Sequence, residues 1–302
     1  MRPKFMQFEP RSSFGWSILS VSGILLIASG ILHVPIWLLD GGSWEGSVSW
    51  RKPILFGVST GMTLCSLGWL MGKLTPVKLD KLMAWLVSVS LVIEVALITV
   101  QKWRGVASHF NQETPLDRWI DTLMLGLIVI AFAGITYFWI RCFDKLELAP
   151  DYSLALRSGM CFLVVSCLIG FAISTYGYNR IAENLTPETI GERGVAKFPH
   201  GIAIHALQFL PLAVWILRWL RISEEQCTWA IRWLVVSFSI QIAFACHQTL
   251  NGLARTEFAA TSGVILAVAS VMTGMVPIAW PVLNRMIADR ERSGKETGTK
   301  NK

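Results

Sequence analysis

Eight runs of about twenty apolar residues, separated by short polar connections, leave this chain very few ways to fold. A run of that length crosses a hydrocarbon layer of roughly 30 Å as a helix. The runs lie at about 16–39, 53–72, 82–103, 119–140, 158–178, 200–217, 233–254 and 260–283. Hydrophobic residues make up 53% of the 302 positions and charged residues only 16%, which excludes an ordinary soluble domain. The expectation is an all-α polytopic membrane protein with eight transmembrane helices and no soluble module. The first run follows a basic arm, Met1 to Arg11, but it is too long for a signal core and ends in Leu38-Leu39-Asp40 without a cleavage site. It is therefore read as an uncleaved span.

Lysine and arginine resist translocation, so their distribution sets the orientation. Eighteen of the 27 fall on the side that carries both termini and nine on the other, which predicts cytoplasmic termini in a cell inner (plasma) membrane. This bias and a basic segment over 285–302, expected to be a solvated tail without fixed structure, account for the net charge of +7 without nucleic acid. The partner implied is the lipid bilayer, with a small-molecule ligand where polar residues gather. No cysteine pair falls in the outer loops, and CxxC or zinc-finger spacings are absent, so no structural disulfide is expected.

The halves of the chain look alike. At a shift of 147 residues, span three meets span seven with Ala96 on Ala243, Gln101 on Gln248, Gly105 on Gly252 and Ala107 on Ala254. At a shift of 146, Pro53 meets Pro199, Leu64 meets Leu210 and Trp69 meets Trp215. The reading is one membrane domain over 1–302, with a four-helix half at 1–150, a second at 151–284 and the tail at 285–302. Four spans per half make the repeat parallel, with a cleft between halves as the place for a site.

Helical geometry then selects residues for that site. Glu94, a carboxylate deep in span three, shares a face with Gln101 and Ser108 at seven-residue spacing, with Arg104 close by. Gln241, Gln248 and Arg255 repeat the spacing on span seven, flanked by His247 and Asn251. Unpaired polar groups are costly in hydrocarbon, so these stripes are expected to face protein or water. All five histidines, His33, His109, His200, His205 and His247, fall toward the outer side. Imidazole can bind haem iron or a metal and titrates near neutral pH. His200 and His205 lie about 140° apart on a continuous helix, so they could share one ion only if His200 preceded the helix, a break that Pro199 would allow. No HExxH motif is present, and the identity of any metal stays open. The long outer loop over 179–199 is expected to carry a short helix starting at Thr186-Pro187-Glu188, placed as a lid.

The segments Glu94-x6-Gln101-x2-Arg104-Gly105-x2-Ser108-His109-Phe110-Asn111 and His200-Gly201-x3-His205-Ala206-x-Gln208 resemble a family of bacterial multi-pass membrane proteins of uncharacterised activity. The four-plus-four plan with outward histidines is also similar in outline to haem A synthase. The chain departs from that enzyme because His200 and His205 meet Ile54 and Ser59 in the other half, so paired haem ligands are not repeated. Three functional classes remain open. One is an outward pocket for a cofactor, haem or quinone, in membrane redox chemistry or redox-complex assembly. Its binding residues would be His33, Gln101, Arg104, His109, His200, His205, Gln241, His247, Gln248, Asn251 and Arg255, with Glu94 as the catalytic proton acceptor. The second is a proton-coupled small-molecule transporter using Glu94. The third is a structural or sensory membrane protein.

Overall fold

Without water to complete hydrogen bonds, a chain in hydrocarbon closes its backbone bonds within helices, and the structure follows that rule. The computed structural model describes residues 13–255, 257 and 261–299. The helices are α1 (Ser13–Asp40), α2 (Arg51–Met71), α3 (Lys78–Trp103), α4 (Pro115–Arg141), α5 (Pro150–Ala182), α6 (Lys197–Ile204), α7 (Ala206–Trp219), α8 (Glu224–Leu250) and α9 (Thr261–Thr299). Two short antiparallel strands, β1 (Thr189–Ile190) and β2 (Gly194–Val195), lie between α5 and α6. The basic arm over 1–12 lies outside the described residues.

Among the described residues, seven helical segments of 21 to 33 residues are long and apolar enough to cross a membrane, with α6 and α7 together forming one of them. Large apolar side chains stand exposed on them, including Leu25, Leu32, Leu39 and Trp219. Such surface is stable in lipid and not in water. The chain is a polytopic membrane protein. The eighth expected run falls in α9, where the apolar stretch among the described residues is the shorter Gly263–Met272. Helix α9 also continues to Thr299, through the segment expected to be an irregular tail. Good helix formers such as Arg285, Met286, Ala288 and Arg290 favour that continuation.

The chain divides into two compact units. The first runs to Glu147 and adds Gly177–Pro187; the second comprises Leu148–Tyr176 and the chain from Glu188 onward. In the first unit, α1 and α2 form the most extensive helix pair, along a seam of glycines. A β-carbon at Gly61 would lie 2.5 Å from the Gly23 carbonyl oxygen, and one at Gly57 would lie 2.9 Å from Gly30 Cα. Small residues let the backbones approach where lipid supplies no hydrophobic drive for helix association. At one end of this unit Asp80 accepts the Val77 amide at 2.8 Å, capping α3. It also takes the Tyr137 hydroxyl at 2.7 Å and an Arg141 guanidinium N–H. Arg141 reaches the Thr75 carbonyl at 2.7 Å, so the α2–α3 connection is bound to the end of α4.

In the second unit, α8 packs against α6, α7 and α9. Its core gathers Phe162, Leu210, Val214, Ile231, Leu234 and Phe238. Buried Asp151 pairs with Arg218 at 2.7 Å, and Arg218 also holds Glu224 at 2.9 Å. The outer loop carries the β1–β2 hairpin instead of the expected lid helix. Gly191 turns it at φ 60°, Arg193 donates its backbone N–H to the Gly252 carbonyl at 3.1 Å, and Thr249 donates to the Val195 carbonyl at 3.1 Å. Ties to the end of α8 thus replace the local helix signal of Thr186-Pro187-Glu188. The break in the sixth span likewise falls at His205 and not before His200. Gly201 and Pro211 weaken the helix on either side of it.

The helix ends at α3 and α8 share one geometry. Arg104 N–H bonds to Val100 O, Gly105 N–H to Lys102 O and Val106 N–H to Gln101 O. Asn251, Gly252 and Leu253 make the same bonds to His247, Thr249 and Gln248. Gly105 and Gly252 close these ends with φ 75° and 68°, a left-handed region where glycine is favoured.

Gly61→Leu is expected to force the α1–α2 seam apart and lower stability by about 1–3 kcal/mol. Gly126→Ala on α4, where an added β-carbon meets nothing, should be neutral or stabilising by up to about 1 kcal/mol. Thermal unfolding of the detergent-solubilised chain measures both.

Candidate functional site

The first unit concentrates its buried polar groups where α3 ends and α4 begins. Thr114 caps α4, accepting the Asp117 amide at 3.1 Å, and Pro115 supplies the fixed φ of a first helical residue. This places Asp117 and Asp121, one turn apart, on the inward face of α4; both are buried. Asp117 accepts Gln101 Nε2 at 3.1 Å, Arg104 Nη1 at 2.7 Å and the Thr114 hydroxyl at 2.6 Å. Arg104 Nη1 also donates to Gln101 Oε1. Gln101 and Arg104 are therefore brought together, with their polar atoms directed onto an aspartate of the same unit.

Asp121 is equally well served. Its oxygens accept the Phe110 amide at 3.1 Å, Gln112 Nε2 at 2.7 Å and the Tyr178 hydroxyl at 2.7 Å. Phe110 holds φ 60°, and its ring fills the notch left by Gly177, where a β-carbon would meet it at 2.5 Å. The aspartates thus fold the 104–114 connection over the end of α3.

Glu94 differs from them. It is 4% exposed, its Oε1 lies 3.8 Å from His109 Nε2, and its Oε2 has no hydrogen-bond partner. His109 Nδ1 is 2.9 Å from Ser108 Oγ, and buried Lys52 donates to the same hydroxyl at 3.4 Å. Lys52, Ser108 and His109 form a file of groups able to take and give protons that approaches Glu94 Oε1, while Glu94 Oε2 has no partner among the described residues. Phe56 covers the imidazole, ring centroids 5.7 Å apart.

His33 has another role. Its Nδ1 donates to the Ser29 carbonyl at 2.7 Å and its Nε2 accepts Trp103 Nε1 at 3.3 Å. Trp50 packs on the ring at 5.8 Å and carries Lys102 over its own face at 4.1 Å. With both nitrogens engaged, His33 ties α1 to the end of α3.

In the second unit, His200 Nδ1 lies 2.8 Å from the Ser166 carbonyl and 3.0 Å from its hydroxyl, fixing α6 to α5. His205 is exposed at the α6–α7 break. Gln241 donates to Ser237 at 3.1 Å, and Ser237 donates to the Ser270 carbonyl at 3.0 Å, which joins α8 to α9. Asn251 Nδ2 contacts His247 Nδ1 at 3.3 Å. Gln248, fully buried, donates to the Glu257 carbonyl at 2.6 Å, and Arg255 lies 5.7 Å from the Phe198 ring.

The residues selected from sequence therefore sort into separate small networks within each unit. Among the described residues, no group of three or more His, Cys, Asp or Glu is placed to hold a metal ion. All six cysteines are free thiols. The sequence places Lys52 only among the cations of the outer rim, and it gives Asp117 and Asp121 no role. The available signal was Thr114-Pro115-x-Asp117-x3-Asp121, a helix start with two carboxylates on one face. Comparison with protein-family models, curated proteins and solved structures finds no match to the chain.

The carboxylates make opposite predictions. Glu94→Leu removes an unsatisfied buried oxygen worth about 1–3 kcal/mol and should raise the unfolding temperature. Asp117→Leu strands Gln101 and Arg104 and should lower it, with both variants followed by thermal unfolding in detergent.

Proposed function

We propose that this protein moves protons at the Glu94–His109 pair, coupled to binding of a small molecule, in the manner of a proton-coupled membrane transporter. What carries the reading is the buried Glu94 carboxyl, whose Oε1 lies nearest the Lys52–Ser108–His109 file and whose Oε2 has no hydrogen-bond partner among the described residues. An intramembrane acid costs about 2.5–3.5 kcal/mol when charged on insertion scales, and such residues mark proton and substrate paths. Every other buried carboxylate described above is satisfied by donors that fix local structure, which leaves Glu94 for chemistry. His109 lies 3.8 Å from Glu94 Oε1, so a proton would pass between them through one bridging water or on a closer approach of the ring.

In this reading the chain lies in a cell inner membrane with eight spans, four in each half, and both termini in the cytoplasm. The bias of lysine and arginine supports the orientation. The matched helix ends at Gln101 and Gln248 support duplication of a four-helix unit.

A haem-binding protein is the second reading, favoured by the exposed imidazole of His205 within a span. A Soret band in the purified protein, lost in His205→Ala, would establish it. The resemblance to haem A synthase belongs to that reading.

For the proton reading, infrared difference spectra of the reconstituted protein should contain a carboxylic-acid carbonyl band that comes and goes with pH. The band should vanish in Glu94→Gln and titrate over a different pH range in His109→Ala. A band unaffected by Glu94→Gln, or no band at all, would remove Glu94 from proton chemistry.

A further inference from the structure

The matched ends of α3 and α8 differ in one respect that concerns a ligand. In the first unit, Gln101 uses both ends of its amide: Nε2 donates to Asp117, and Oε1 accepts a guanidinium N–H of Arg104 three residues on. In the second unit, Gln248 occupies the same place at a helix end with the same backbone bonds. Its Nε2 is held by the Glu257 carbonyl at 2.6 Å. A carbonyl accepts only from a donor, so this contact fixes which way the amide faces. Gln248 Oε1 is thereby left buried, at 0% exposure of the residue, with no partner among the described residues.

The residue that would supply the partner is changed. Asn251 stands where Arg104 stands in the first unit, and its short amide donates to the His247 carbonyl at 2.8 Å. The neighbouring basic residues are otherwise directed: Arg193 pairs with Glu257 at 2.9 Å, and Arg255 lies over Phe198. On the α9 side Gly263 faces the Gln248 amide, and even a β-carbon there would only reach 3.7–3.9 Å from it.

We infer that Gln248 Oε1 accepts a guanidinium or primary ammonium group of a bound molecule, in place of the arginine that the first unit carries within its own chain. A cation suits the position because Gln248 lies in the last turn of α8, where the helix presents the negative end of its dipole. An organic cation suits it better than an alkali or alkaline-earth ion, since such ions take about six oxygen ligands and one amide oxygen is on offer. The N–H donors of guanidinium and ammonium also satisfy an amide oxygen directionally, with charge assistance. The group could come from a free amine or from an ethanolamine lipid headgroup. The inference does not depend on proton transfer at Glu94, which lies in the other unit.

The test is thermal unfolding of the detergent-purified full chain with methylguanidinium chloride, against sodium chloride at equal ionic strength. Methylguanidinium should raise the midpoint of the natural sequence by roughly 2–5 °C at saturating concentration. Gln248→Leu should abolish the rise. Asn251→Arg should raise the midpoint without added cation and make the protein indifferent to methylguanidinium, because the new guanidinium occupies Oε1. In a parallel arm, phosphatidylethanolamine nanodiscs should protect the natural sequence more than phosphatidylglycerol ones if the headgroup is the source, and Asn251→Arg should erase that difference. Absence of any response to both methylguanidinium and phosphatidylethanolamine overturns the inference. A response that persists in Asn251→Arg also overturns it, even if Gln248→Leu fails to fold.

Discussion

Hydrocarbon offers no second chance to a polar group, and that one constraint organises this protein. Inside each span the backbone closes its own bonds, so the structure is helical almost by elimination. The difficulty moves to the helix ends, where carbonyls and amides run out of partners. Here the ends are closed by side chains that serve several groups at once. Asp80 joins Val77, Tyr137 and Arg141; Asp117 joins Thr114, Gln101 and Arg104; Asp121 joins Phe110, Gln112 and Tyr178. Each carboxylate fixes a connection against a helix, and the short loops between spans gain their order from these bonds.

Against that background, among the described residues Ser88 Oγ, Thr136 Oγ1, Glu94 Oε2 and Gln248 Oε1 are buried oxygens without partners. Of these, Glu94 and Gln248 carry a carboxylate or amide oxygen that can only be satisfied by a donor. Each sits beside a group that the sequence could have used to satisfy it. His109 is 3.8 Å from Glu94, too far for a settled hydrogen bond, and Asn251 takes the place where an arginine would reach Gln248. An unsatisfied buried acceptor costs about 1–3 kcal/mol, which packing elsewhere must offset. The glycine seam of α1 and α2 is one such source of close packing.

The helices were legible because length and apolarity are local properties of a run. The polar stripe on span three was legible for the same reason, and Glu94, Gln101 and Gln248 are buried. Their partners were not legible. Whether Gln101 meets a ligand or Asp117 depends on how the 104–114 connection folds back, and positive φ at Gly105 and Phe110 decides that. The sequence does not reveal which neighbours face the nitrogens of His33; Trp103, seventy residues away, donates to one of them. The β1–β2 hairpin escaped notice because its strands are two residues each and are held by the end of α8.

Composition and the spacing of apolar residues alone determined that the chain is a helical membrane protein, and they placed Glu94, Gln101 and Gln248 on helices where burial was to be expected. Only the tertiary structure decided which of those side chains find partners. Burial follows from the helix a residue lies on, whereas satisfaction requires a donor and an acceptor from distant segments to arrive within about 3 Å of each other. That arrival is what separates Asp117, Asp121 and His33, whose polar atoms find partners, from Glu94 and Gln248, each of which keeps one buried oxygen without a partner among the described residues.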